Sequence, residues 1–232
     1  EGVLKVIQAK QALTSPILLD YLEMVNSFNS AGKTRVYPGS PFIIHQLLRH
    51  DSRDRLKLYE LHPTDHKALV GNVAQLEAGR AIQIKSEDGF EALKALLPPP
   101  LSSSGSRRAC VLLDPSYELK SDYARVLDSV QDSLKRFATG TYLVWYPVIP
   151  RTEAHDLPRK LKLLCQPIKK PWLNATFAIG RATGGDDNGL SASGMFVVNA
   201  PFTLKDKLRE AMEVVGPALA RGTGHSWAVE HS

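Results

Sequence analysis

The segment Asp114-Pro115-Ser116-Tyr117 places a carboxylate, a proline turn and an aromatic ring directly behind the apolar run Ala109–Leu113. Such a set suits chemistry on an exocyclic amine. The lone pair of an adenine-type amine is delocalised into its ring, so the nitrogen is a poor nucleophile. A carboxylate and a backbone carbonyl can accept its two hydrogens and draw it towards tetrahedral geometry. A tyrosine ring can stack on a base taken out of its helix. The same residue types also make an ordinary turn with an Asp cap. Two further acids stand in comparable places. Glu60 lies near the end of the alternating segment Leu56–Leu61, where an acid suits ribose hydroxyls or simply closes a strand. Asp88 precedes Gly89 and Phe90 and suits an adenine amino group, or caps a helix.

The elements that must position these acids follow from periodicity. Alternation and apolar runs predict strands at Leu56–Leu61, Ala81–Lys85, Ala109–Leu113, Thr141–Val148, Leu173–Gly180, Met195–Asn199 and Ser226–Val229. Helical spacing predicts helices over Glu1–Leu13, from Pro16 through Val25, over Phe42–Arg49, from His62 through Leu76, and over Phe90–Leu96, Tyr123–Phe137 and Leu204–Val215. Strands alternating with helices predict an α/β fold with a largely parallel sheet. Ligands in such sheets bind outside the carboxyl ends of the strands, where all three acids fall.

Composition narrows the classes. The 232 residues suffice for one α/β domain with a helical appendage, and 43% apolar with 23% charged residues excludes a disordered or collagenous chain. No run approaches the roughly 20 apolar residues of a membrane helix, and no signal peptide pattern opens the chain. Cys110 and Cys165 are too few for a disulfide framework or a four-ligand zinc site, which fits a reducing, cytoplasmic compartment. His62 and His66 share a helix face without a third ligand, so no metal is expected. Thr183–Gly189 is rich in Gly and Asp but lacks the closing Glu of a calcium loop and reads as a turn. Most of the net charge of +5 sits in one place: Arg151, Arg159, Lys160, Lys162, Lys169 and Lys170 face only Glu153 and Asp156, with Pro158 expected to interrupt the segment. A basic stripe of this kind suits a phosphate backbone, or is a solvated helix face.

Taken together, the chain resembles one family, the RlmJ-type 23S ribosomal RNA adenine-N6 methyltransferases. The resembling stretches are Arg35–Pro41, Glu60-Leu61-His62-Pro63, Asp88-Gly89-Phe90, Asp114–Glu118, Lys135–Gly140, Trp145-Tyr146-Pro147, Ser191–Met195 and Gly222-Thr223-Gly224-His225, in family order. The resemblance implies a Rossmann-like sheet with a small helical insertion, S-adenosylmethionine as cofactor, 23S ribosomal RNA as partner, no membrane, and a monomer. It implies that Ser40, Glu60, Asp88, Gly89 and Asp114 contact the cofactor. Asp114 would also orient the target amine and accept its proton, and Tyr117 would stack on the adenine. Lys160, Lys162, Lys169 and Lys170 would hold RNA. Residues 1–34 would belong to the helical insertion and 35–232 to the methyltransferase domain.

Two departures shape the expectations. Ser116 stands where the family's fourth motif has a second proline, which loosens the turn. The family's His-Ala-Gly-Asn segment, first strand and Gly-rich Asp-x-x-Ala-Gly-x-Gly loop have no counterpart in Glu1–Ser40. The sheet is therefore expected to be interrupted, with Leu56–Leu61 and Ala109–Leu113 flanking the gap. A catalytically inactive RNA-binding or ribosome-assembly protein on the same fold is the alternative, and a DNA adenine methyltransferase is a sibling of the first reading.

Overall fold

Parallel strands need a crossover of a dozen residues or more, and the chain supplies such crossovers as helices. The computed structural model describes residues 2–9, 15–29, 34–49, 54–102, 105–181 and 189–232. They form two compact units, residues 20–107 and residues 1–19 with 108–232. Helix α1 (Gly2–Gln8) belongs to the second of these, and α2 (Pro16–Ser27) passes from one to the other.

The unit of residues 20–107 is built on one βαβ crossover. Strand β1 (Leu56–Tyr59), helix α4 (Pro63–Ala74) and strand β2 (Ile82–Lys85) follow a short helix α3 (Ser40–Leu47), and α5 (Gly89–Leu96) closes the unit. Strands β1 and β2 pair in parallel from Leu56–Ile82 to Tyr59–Lys85. Helices α3 and α5 both pack on β1.

The other unit holds β3 (Cys110–Leu113), α6 (Lys120–Arg136), β4 (Thr141–Pro147), α7 (Thr152–Cys165), β5 (Trp172–Arg181), β6 (Ala192–Val198), α8 (Leu204–Leu219) and β7 (Thr223–His231). Its sheet has the order β3-β4-β6-β5-β7. Only β3–β4 is a parallel ladder; β6 runs antiparallel to both β4 and β5, and β7 antiparallel to β5. The expectation of a largely parallel sheet is corrected here. No helix separates β5 from β6 among the described residues, and a direct connection returns the chain antiparallel. The described strands form two ladders, β1–β2 in one unit and β3 to β7 in the other.

Helix α6 turns Tyr123, Val126, Val130, Ser133 and Leu134 inward, one face at helical spacing. Val126 and Val130 are fully buried, and each contributes roughly 1.5–3 kcal/mol by leaving water. Helix α7 is continuous through Pro158, where the sequence predicts a break. Proline removes a helical donor. Burial of Ala154, Leu157, Leu161 and Cys165 along one face of α7 offsets that loss. The oxygen-rich turn at Thr183–Gly189 lies outside the described residues except for Gly189.

Candidate functional site

Asp114 is the first residue after β3, at the carboxyl end of a parallel pair. The residue is exposed on its outer side, yet its carboxyl is pushed above the ordinary carboxylate range by desolvation against the protein. A carboxylate held this way binds a proton more readily than a free one, which suits a proton acceptor.

The turn that follows is tethered at its far end. Tyr117 has a left-handed backbone, φ 55°, which costs an L-residue roughly 1–2 kcal/mol. Its hydroxyl donates to the Trp145 carbonyl at 2.6 Å. Its ring centroid lies 4.7 Å from that of Tyr123 and 6.2 Å from that of Trp145. Its carbonyl accepts from Arg151 Nη1 at 2.9 Å. Burial, and then the charge of Asp114, push the phenol far above its usual range, so it stays protonated and keeps donating. Tyr117 is only 3% exposed. The ring therefore faces the protein, and stacking on a base requires it to swing out.

Arg151 is a residue whose role sequence reasoning missed. In the sequence it is one cation among six, whereas the structure sets it at the N-cap of α7 with its guanidinium on the turn after β3. The available signal was its place shortly after β4, the strand whose Trp145 carbonyl tethers the same tyrosine. Arg151→Ala is expected to lower turnover about tenfold or more, since a hydrogen bond from a charged group contributes roughly 1.5–3 kcal/mol. Arg151→Lys should recover part of it. Cofactor affinity should stay constant, and a fall in melting temperature with unchanged turnover of the folded enzyme would reduce Arg151 to a helix cap.

The other cofactor candidates lie in the unit of residues 20–107. Glu60 follows β1, and its N–H donates to the Lys85 carbonyl at 3.2 Å. Glu60 Oε1 accepts from the His62 N–H at 2.8 Å, which leaves Oε2 for a hydroxyl partner. A ribose diol fits that geometry. Asp88 is the N-cap of α5, its Oδ1 accepting from the Phe90 N–H at 2.9 Å. Gly89 lets α5 close over the end of β1, because a Cβ there would stand 3.3 Å from Tyr59 Cβ. Ser40 opens α3 and is exposed. Asp114 belongs to the other unit.

The four lysines expected to meet RNA differ in their surroundings. Lys162 donates to Glu230 at 2.7 Å and lies 5.0 Å over the Trp172 ring, so its charge is answered internally. That bond is the main reason the Glu230 carboxyl sits below its usual range. Lys160 stands 3.8 Å from Asp156. Lys169 and Lys170 follow α7 and have no acidic partner among the described residues. No cluster of three His, Cys, Asp or Glu side chains able to hold a metal occurs among the described residues.

Comparison with known proteins supplies the family. A family model described as ribosomal RNA large subunit methyltransferase D, RlmJ, matches residues 1–231. The chain is 40% identical over 212 residues to ribosomal RNA large subunit methyltransferase J of Haemophilus influenzae, covering 90% of this chain and 70% of that protein. It is 36% identical over 215 residues to the protein of the same name from Escherichia coli, covering 90% and 71%. A crystal structure of a Legionella pneumophila protein superposes with a TM-score of 0.77 at 28% identity, over 93% of this chain and 74% of that one. With a tethered Asp-Pro-Ser-Tyr turn behind β3 and a match along almost its whole length, the chain belongs to the RlmJ family of ribosomal RNA large subunit methyltransferases.

Proposed function

We propose that this chain transfers a methyl group from S-adenosylmethionine to N6 of an adenine in 23S ribosomal RNA. The observation that carries the reading is Asp114, at the carboxyl end of β3, with a carboxyl that holds a proton more readily than usual. S-adenosylmethionine supplies an electrophilic methyl on a sulfonium sulfur. Asp114 accepts a hydrogen bond from the adenine amine, draws its lone pair out of the ring and takes the proton lost once the nitrogen is methylated. The Pro115 carbonyl accepts the second amine hydrogen. Tyr117 swings from its pocket to stack on the flipped base, and Arg151 fixes the backbone from which it swings.

The cofactor is assigned to the same residues as the sequence indicated. Glu60 Oε2 is open to a ribose hydroxyl, and that free oxygen is the fit observed here. Asp88 and Gly89 take the adenine end, and Ser40 and Asp114 complete the contacts. Lys160, Lys162, Lys169 and Lys170 are assigned to RNA, with Lys169 and Lys170 contributing most because they have no acidic partner among the described residues. Residues 1–34 are assigned to the helical insertion and 35–232 to the methyltransferase domain. The protein is taken to act as a monomer in the cytoplasm; no helix among the described residues is long and apolar enough to cross a membrane.

The test is incubation of the protein with unmodified 23S ribosomal RNA and S-adenosylmethionine labelled in the methyl group. Label should appear in N6-methyladenine after nuclease digestion. Glu60→Ala should raise the cofactor Kd about tenfold, the worth of a charge-assisted hydrogen bond. RNA binding without any transfer, from a chain that binds the cofactor, would favour the inactive RNA-binding alternative, to which Ser116 points.

A further inference from the structure

Phe202 is 94% exposed, against 65% for Leu119, the next large apolar side chain in that respect among the described residues. It follows β6 in the sequence Asn199-Ala200-Pro201-Phe202. The loop is not loose. Asn199 adopts a left-handed backbone, φ 56°. Its N–H donates to the Pro171 carbonyl at 2.7 Å, and its amide Nδ2 donates to the carbonyls of Ala138 and Gly140 at 3.0 and 2.6 Å. One residue thus stitches together the loop after α6, the loop after α7 and the loop after β6.

These three loops share one edge of the five-stranded sheet. Tyr142, Val198 and Trp172 lie side by side in the ladder, so the loops before β4 and β5 and after β6 emerge together. Asp114 leaves the sheet at the other edge, beside the level of Trp145. At 3.3 Å per residue the two edges are roughly 15 Å apart along the strands.

Three lysines stand at this edge. Lys135 lies in the last turn of α6, and Lys169 and Lys170 lie in the loop after α7. None of the three has an acidic partner among the described residues. No Asp or Glu occurs in 137–141, 166–172 or 199–203. Lys169 also holds a left-handed backbone, φ 49°, where helices ordinarily end in glycine. The N–H groups of Lys169 and Lys170 close the helix on the carbonyls of Gln166 and Cys165. The chain thus carries a strained lysine and a bare phenylalanine in loops that leave the same end of the sheet. Lysine is depleted from protein–protein interfaces, whereas cations around an aromatic ring match phosphates flanking a base.

We infer that this edge is a second RNA contact, remote from the methyl-transfer turn, in which Phe202 stacks on an unpaired base and Lys135, Lys169 and Lys170 neutralise the neighbouring phosphates. The inference rests on the proposed RNA methyltransferase reading and adds to it. It makes recognition depend on two places in the folded RNA, one at Asp114 and one at Phe202.

The experiment measures binding of unmodified 23S ribosomal RNA to the full chain and methyl transfer at saturating RNA. Phe202→Ala should weaken binding about five- to hundredfold, the range of one lost base stack. Phe202→Tyr should bind as the parent does. Lys169→Ala with Lys170→Ala should make the salt dependence of log K shallower by roughly 1.5. Turnover at saturating RNA should not change in Phe202→Ala or Phe202→Tyr, since Phe202 lies at the opposite end of the strands from Asp114. Parental RNA affinity in Phe202→Ala would overturn the inference. So would loss of self-association in Phe202→Ala with RNA affinity intact, which would make the edge a contact between copies. Absence of methyl transfer by the parent chain would instead condemn the enzymatic reading, a separate readout.

Discussion

Asp114→Asn is expected to lower single-turnover methyl transfer about 10²–10³-fold while cofactor affinity stays within a few-fold. The amide oxygen still accepts one hydrogen bond, so ground-state contacts survive. What disappears is the negative charge offered to an amine that becomes cationic as it attacks, which is stabilisation of the transition state alone. Asp114→Ala should be worse, because the acceptor goes as well. The pH dependence supplies a second check. The carboxyl is raised by desolvation, so the parent rate should fall on acidification with a midpoint above the ordinary carboxylate range. For stability the sign is opposite to that of a salt-bridged acid. A raised folded-state value means the folded protein binds the proton more tightly than the unfolded chain. The contribution is full below the unfolded value and lost as pH rises through the folded one. Asp114→Asn should therefore melt no lower than the parent at neutral pH, while losing nearly all turnover. Parental rates of transfer in Asp114→Asn would leave Asp114 as a strand-end cap.

The Asp114–Tyr117 turn was legible because its residue types are local: carboxylate, proline and ring fall within four positions, and the apolar run before them fixes the strand. Glu60 and Asp88 were legible as strand-end acids for the same reason, and the structure gives both local backbone bonds as well. The cap and the ligand contact use the same residue types, so sequence alone could not separate them. Three features were not legible. The tether from Arg151 to the Tyr117 carbonyl spans 34 positions and depends on α7 starting soon after β4 ends. The antiparallel insertion of β6 between β4 and β5 is a matter of strand order, which hydrophobic pattern does not encode. The pairing of Lys162 with Glu230 crosses 68 positions, so a basic stripe in sequence became a partly neutralised helix face in space. Pro158 misled in the opposite direction, since local propensity yielded to the burial of four side chains on α7.

Gly194→Ala should be among the most destabilising single substitutions in the sheet. Gly194 sits in β6 between Tyr146 of β4 and Thr176 of β5. A Cβ there would run into the Tyr146 ring at Cζ, Oη and Cε1. The ring is held in place: Tyr146 is 2% exposed. Its hydroxyl donates to Asn174 Oδ1 at 2.8 Å, and burial pushes the pKa of that hydroxyl up to about 12. Overpacking together with loss of this bond gives roughly 2–4 kcal/mol. For a chain of this size that is a drop of about 5–15 °C in Tm. A specific rescue is expected. With Tyr146→Ala already in place, Gly194→Ala should cost much less than it does alone, and the difference is the coupling energy of the pair. Full additivity, or a parental Tm for Gly194→Ala, would show that the sheet accommodates the methyl elsewhere. The consequence also reaches the turn at Asp114–Tyr117. Trp145, next to Tyr146 on β4, supplies the carbonyl that holds the Tyr117 hydroxyl. A strand displaced at Tyr146 moves that acceptor, so Gly194→Ala should lower turnover of the molecules that remain folded. Tyr117→Phe, which lacks the donor, should then be less sensitive to Gly194→Ala than the parent is.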